Sequence, residues 1–250
     1  METTPVQKPI TTIELVQTQP RASGWHWALI QAYLVIAVPV LLTLISVRLV
    51  MMPWFVEFEY NRSGFPEDRY GMTTEERMEY APYALNYLVN GADISYLGDL
   101  TFPDGSPLYN SRELRHMEDV KVVTRNAFFL LFYGGIATLL VSAALVARPQ
   151  TRHILRLGLL QGSVFTLSVI LLIVLLAIAM WDFFFTAFHQ IFFESGTWRF
   201  AFSDTLIRLF PEQLWFDAAL TIGAMTTIGA LFLLGVTWRW SKRVTQVLPE

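Results

Sequence analysis

A chain of 250 residues that is 54% apolar and only 16% charged, with 19 Phe and 8 Trp, is too apolar for an ordinary soluble domain. The absence of Cys excludes disulfides, a Cys nucleophile and thiolate metal sites, and a net charge of −3 carries no nucleic-acid signal. These features point to an all-α membrane protein: a four-transmembrane-helix bundle with extracytoplasmic juxtamembrane loops that contain short amphipathic helices.

In chain order, residues 1–24 are rich in Thr, Gln and Pro and read as a disordered cytoplasmic tail. A single membrane domain over residues 25–240 follows, then a cytoplasmic tail, 241–250. Crossing a bilayer needs about 20 apolar residues. Four segments meet that length, at about 27–50, 127–147, 157–180 and 218–236. In hydrocarbon every backbone polar group must be paired within the segment, so these spans are helices. Gly134–Gly135, Gly162–Ser163, Gly223 and Gly229 would let the last three approach their neighbours closely. The first span has too long an apolar run, and no small-residue cleavage site follows it, so it is not a cleaved signal peptide.

Lys and Arg in short loops set the orientation. Arg148, Arg152 and Arg156 lie between spans two and three, and Arg239, Lys242 and Arg243 follow span four. Both places read as cytoplasmic, and so does the N-terminus. Loop 52–125 holds 13 acids against 7 bases and faces outward with loop 181–217.

The outer loops carry local structure. Thr73 and Glu76 form a capping box that opens a helix. Met78, Ala81, Leu85 and Leu88 recur near helical spacing after it, so the helix is a lid on the membrane surface or a packing helix. Phe102-Pro103-Asp104-Gly105 is a turn. Asn110 and Glu113 form a second capping box, and the helix it opens is expected to run unbroken into span two. In the second loop, residues 181–193 hold seven aromatics around Asp182 and His189. Trp198, Phe200 and Phe202 then alternate with Arg199, Ala201 and Ser203, which reads as an extended stretch with one apolar face. Ser203 is expected to cap a short helix, 204–210, and Pro211 suits the first turn of the next. Arg199 and Arg208 are placed to meet lipid phosphates or carboxylates.

Four histidines are present. His26 and His153 fall on the cytoplasmic side. His116 and His189 both fall where an outer loop meets a long apolar segment, and His is the side chain that trades protons near neutral pH. Asp119 shares a helix face with His116 and is a candidate to orient its ring, while Asp182 aligns with His189 on a continued helix. On spacing alone the plainer reading of His116 is an incidental residue in a solvated helix end. An aromatic belt at the interface explains the Phe and Trp near His189 but not the histidine. No span centre carries a charge, which argues against an ion or proton pathway and favours chemistry at the outer leaflet. No internal repeat, phosphate-binding Gly-rich loop or G-x-S-x-G elbow is present, so no cofactor is indicated.

The pieces Asn110-Ser111-Arg112-Glu113-Leu114-Arg115-His116-Met117-Glu118-Asp119-Val120-Lys121 and Phe188-His189-Gln190-Ile191-Phe192-Phe193, with Trp198-Arg199-Phe200 and Leu209-Phe210-Pro211-Glu212, resemble the bacterial lipoprotein intramolecular transacylase family. The resemblance covers roughly residues 28–240. The chain differs from the family in a longer polar N-terminal tail and an outer loop lengthened around Gly98 to Pro107. The resemblance implies four spans in the bacterial cytoplasmic membrane, a diacylated lipoprotein as substrate and the lipid bilayer as surroundings. It also implies transfer of the sn-2 acyl chain of a diacylglyceryl-cysteine to the α-amino group of that cysteine. His116 and His189 match the family's reactive pair; Asp119, Asp182 and Arg199, read from spacing and position, are the expected supporting residues.

That chemistry suits two histidines. Ester-to-amine transfer needs a deprotonated amine, a stabilised oxyanion and a protonated leaving alkoxide, which one base and one acid or oxyanion donor supply. His189 is the expected base, and His116 the oxyanion or acid group. Two other readings compete: a metal-binding protein using His116 and His189 with Asp119 or Asp182, and a non-enzymatic scaffold whose outer loop is an interaction surface.

Overall fold

A computed structural model of the chain describes residue 22, residues 24–194 and residues 196–245, with side chains as far as Trp240. The expected N-terminal tail, apart from Ala22 and Gly24, lies outside the described residues, as do residues 246–250. The helices are α1 (Trp25–Val50), α2 (Pro53–Asn61), α3 (Thr74–Val89), α4 (Ser95–Gly98), α5 (Ser111–Ala147), α6 (Arg152–Ala179), α7 (Trp181–Phe192), α8 (Thr205–Leu209) and α9 (Glu212–Thr245). Among the described residues the only β pairing is an isolated bridge between Thr101 and Pro107 that closes the Phe102–Gly105 turn.

Four helices, α1, α5, α6 and α9, are long and apolar enough to cross a membrane. They run up and down, with the long connections 51–110 and 180–211 at one end and the short 3₁₀ turn Pro149–Thr151 at the other. The centre of the bundle is α6, which packs on α1 and α9. Close approach explains how they meet. A Cβ at Gly158 would lie 2.8 Å from Leu34, and one at Gly162 2.8 Å from Val38. Gly223 and Gly229 play the same part against Val174 and Leu42, whereas Gly135 faces open space. A hydrogen bond from Thr226 to Ser46 (3.1 Å) joins α9 to α1 inside the bundle.

The cap formed by the two connections has its own core. Phe55, Tyr60, Tyr80, Ala81, Ala84, Tyr87, Leu97, Leu108, Met117 and Leu209 are all buried in it. Both capping boxes form as expected. Thr73 accepts from Glu76 N, Asn110 accepts from Arg112 N and Glu113 N, and each box glutamate returns to its cap N–H.

Three expectations need correction. The apolar face of α3 is Tyr80, Ala81, Ala84 and Tyr87 rather than the Met78 row: Met78 is exposed, and Leu85 and Leu88 are only partly covered. This face packs against α2 and α5, as the packing-helix alternative expects. Residues 198–203 form no strand: Trp198 is 8% exposed but Phe202 is 74% exposed, so the alternation does not give one apolar face. Asp204, not Ser203, occupies the N-cap of α8, and its carboxylate makes no cap hydrogen bond: it accepts from Ala201 N (2.9 Å) and meets Arg112. Arg208 meets a protein carboxylate, Asp68, at 3.0 Å.

Candidate active site

His116 owes its place to α5. The helix has 37 residues, about 55 Å at 1.5 Å per residue. A bilayer's hydrocarbon core is about 30 Å thick. Residues 111–126 precede the apolar stretch, so four turns of helix stand clear of the span as a rigid continuation of it. The first turn is held down twice. Glu113, 1% exposed, accepts from Leu206 N at 2.7 Å, and Arg112 pairs with Asp204 at 2.8 Å. The sequence identifies Glu113 only as a capping residue. Its second role, satisfying a backbone N–H 93 residues away, carries no local signal.

His189 is held differently. At Met180 (φ −143°, ψ 56°) the chain leaves the α6 helix, and α7 starts at Trp181 on a new axis. Neither Gly nor Pro marks this break. None of the α7 residues is fully buried, and Phe185 and Phe188 lie against His189. The imidazole lies 4.1 Å from the Phe185 ring and 4.7 Å from the Trp198 ring, centroid to centroid.

The two histidines, 73 positions apart in the chain, meet in one aromatic niche. Phe193 touches both: its centroid is 5.1 Å from His116 and 5.8 Å from His189. Phe200 closes the His116 side at 5.2 Å. The segment that follows α7 therefore bridges the pair, with Trp198 on one ring and Phe200 on the other.

Electrostatics follow from this enclosure. Burial, with a smaller push in the same direction from the nearby His189, lowers His116 to about 4. His189 is also lowered by burial, against the opposing pull of the Phe185 carbonyl. Both shifts favour the neutral imidazole. For His189 the tautomer follows directly: Nδ1 sits 2.7 Å from the Phe185 carbonyl oxygen. A carbonyl only accepts, so Nδ1 carries the hydrogen and Nε2 keeps its lone pair. His116 Nδ1 is buried with no hydrogen-bond partner.

The other expected site residues stand apart. Asp119 and Asp182 are exposed, and among the described residues no hydrogen bond or ion pair joins Asp119 to His116 or Asp182 to His189. A spacing of three places Asp119 on the same side of α5 but leaves its carboxylate in solvent. Asp182 lies at the mouth of a different cleft, with Trp181 and Glu212. Arg199 is exposed and lies over the Trp198 ring, 5.2 Å from its centroid, on the outer wall of the niche. Among the described residues no three His, Asp or Glu converge as a metal-ion site would require.

Comparison with known proteins agrees with this architecture. An uncharacterized protein of Aquifex aeolicus (strain VF5) is 29% identical over 207 residues, which is 82% of this chain and 92% of its own length. The solved structure of the membrane integral lipoprotein intramolecular transacylase Lit from Bacillus cereus superposes with a TM-score of 0.74 at 20% identity, covering 90% of this chain and 100% of that one. A histidine-to-arginine variant of it gives 0.69 at 19% identity, covering 89% of this chain and 95% of that one. At these identities the likeness to solved structures concerns the fold. A family model, lipoprotein intramolecular transacylase Lit, matches residues 32–215, and the chain belongs to that family.

Proposed function

We propose that this protein moves the sn-2 acyl chain of a diacylglyceryl-cysteine to the α-amino group of the same cysteine, giving a lyso-form lipoprotein. The observation that carries the reading is the Phe193 ring in contact with both imidazoles: two titratable groups from distant segments share one water-poor niche. The niche belongs at the outer leaflet of the bacterial cytoplasmic membrane, with both termini inside, in keeping with the Lys and Arg of the short loop and tail.

His189 is the base. Its Nδ1–H is committed to Phe185, so Nε2 takes the proton from the amine as nitrogen attacks the ester carbonyl. The neutral His116 donates a hydrogen bond to the oxyanion that forms. Collapse breaks the bond to the glycerol oxygen, which receives the proton from His189. Amine and ester belong to one molecule, so orientation supplies much of the rate: well-placed intramolecular pairs reach effective molarities of about 10⁵ M or more. No enzyme nucleophile is needed, in keeping with a chain that has no Cys.

The test is mass spectrometry of a reporter lipoprotein, co-expressed in a host that makes only diacylglyceryl lipoproteins. An N-acyl, lyso-glyceryl cysteine is expected with the wild-type protein. His116→Ala and His189→Ala should each cost at least about 10²-fold in product formation, with expression unchanged. Full activity in the double variant would end this reading.

A further inference from the structure

Among the described residues, four buried side-chain nitrogen or oxygen atoms have no hydrogen-bond partner: Arg77 Nε, Tyr109 Oη, His116 Nδ1 and Trp198 Nε1. Two of these four lie in the histidine niche. Trp198 is the less expected of them. Interfacial tryptophans in a membrane protein turn their N–H towards water and headgroups, but this one is 8% exposed and its nitrogen is covered. Leaving such a donor unpaired costs about 1–3 kcal/mol, and buried indole N–H groups ordinarily find an acceptor. The ring is tilted 32° against His189 at 4.7 Å and meets Phe185 at 6.1 Å, so its surroundings are the niche itself. Two residues on, Phe200 reaches His116.

We propose that Trp198 Nε1–H is a second oxyanion donor, binding the carbonyl oxygen of the ester that is cleaved, beside His116. This rests on the acyl-transfer reading above. The amine lone pair forms the C–N bond, and the carbonyl π pair moves onto oxygen, where the two ring N–H groups hold it. Collapse restores the carbonyl and expels the glycerol oxygen. The indole proton is shared with the oxyanion and never transferred. The ligand class is therefore a tetrahedral oxyanion derived from a fatty-acyl ester, which the unpaired indole N–H would bind. A preformed donor of this kind gains most in the transition state, where charge is greatest.

The experiment measures purified full-length protein in lipid–detergent micelles acting on a synthetic dipalmitoylglyceryl-cysteinyl peptide. It compares wild type, Trp198→Phe, and Trp198 replaced by 3-benzothienylalanine, which keeps the bicyclic ring and substitutes sulfur for N–H. A fall of about 10²-fold or more in kcat, with KM little changed and the melting midpoint not lowered, is expected for both variants, because neither loses a hydrogen bond in the resting protein. If the Phe variant melts early, the benzothienyl variant decides alone. Wild-type kcat in the benzothienyl variant, alongside inactive His116→Ala and His189→Ala, would overturn the Trp198 assignment and leave the acyl-transfer reading standing. Absence of N-acyl product from the wild type would overturn both.

Discussion

Where α6 meets α1, Gly158 and Gly162 bring the backbones against Leu34 and Val38, and the seam is held mainly by shape, with one exposed Gln31–Gln161 hydrogen bond (2.8 Å) across it. Where α5 meets α8 in the cap, the contact is a buried carboxylate on a backbone N–H, with Arg112–Asp204 beside it. Outside the bundle, water has to be excluded and most buried polar groups partnered, so the cap relies on hydrogen bonds and charge pairs. Lipid supplies no hydrophobic drive between helices, so the bundle relies on small residues and close packing. The site lies at the junction: His116 stands on a helix rooted in the bundle but pinned in the cap, whereas His189 stands on α7, which is tied to neither by a buried residue.

If the bundle is held by shape, one oversized side chain should break it. Gly162→Leu places its Cβ 2.8 Å from Val38 and 3.3 Å from the Leu34 carbonyl oxygen, and no monodisperse protein is expected on size exclusion in detergent. Gly135→Leu, at a position with nothing within 4 Å, should elute as wild type. Equal behaviour of the two would remove the distinction. In the cap the largest effect should come from chemistry instead. Glu113→Ala strands Leu206 N and Asn110 N together and should cost about 2–4 kcal/mol. Glu113→Gln, which keeps one acceptor, should fall between. A thermal midpoint of Glu113→Ala equal to wild type would mean the carboxylate is not the clamp.

Much of this was legible in advance for one reason: the signals were local. A capping box needs residues three apart, and an apolar run needs only its own length, so both boxes, four spans and an unbroken α5 could be read from sequence. Span topology placed His116 and His189 at the same membrane face, and resemblance to a family made them a pair, since nothing local joins positions 116 and 189. Glu113–Leu206, Asp204 as an acceptor for three donors, and the turn at Met180 depend on tertiary partners that periodicity does not encode. Asp119 shows the converse error, as helical register gave proximity but not burial.

A smaller effect should appear on acidification. His116 has a folded value of about 4 against an ordinary 6.5, so as pH falls the unfolded chain takes up the proton first. Its contribution is fully present above about 6.5 and is lost as pH falls towards about 4; His189, also lowered, acts in the same direction. His116→Phe should flatten the melting midpoint across that window, and a variant curve parallel to wild type would show that the niche is wet. The smallest effect belongs to the bundle: Thr226→Val removes the hydrogen bond to Ser46 and should cost about 0.6 kcal/mol. A loss as large as that of Glu113→Ala would mean that polar contacts hold the bundle as much as they hold the cap.

The long helix also has a mechanical meaning. From Ala147 to His116 is 31 residue steps of unbroken α5, a lever arm of roughly 46 Å. A tilt of about 1° at its base would swing His116 by about 0.8 Å, beyond the roughly 0.5 Å that a reacting constellation tolerates. Without anchorage at the tip, each rocking of the spans would reach the site magnified. The clamps at Arg112 and Glu113, one turn from the histidine, turn a lever into a strut, so the site can sit in a moving membrane and remain in register.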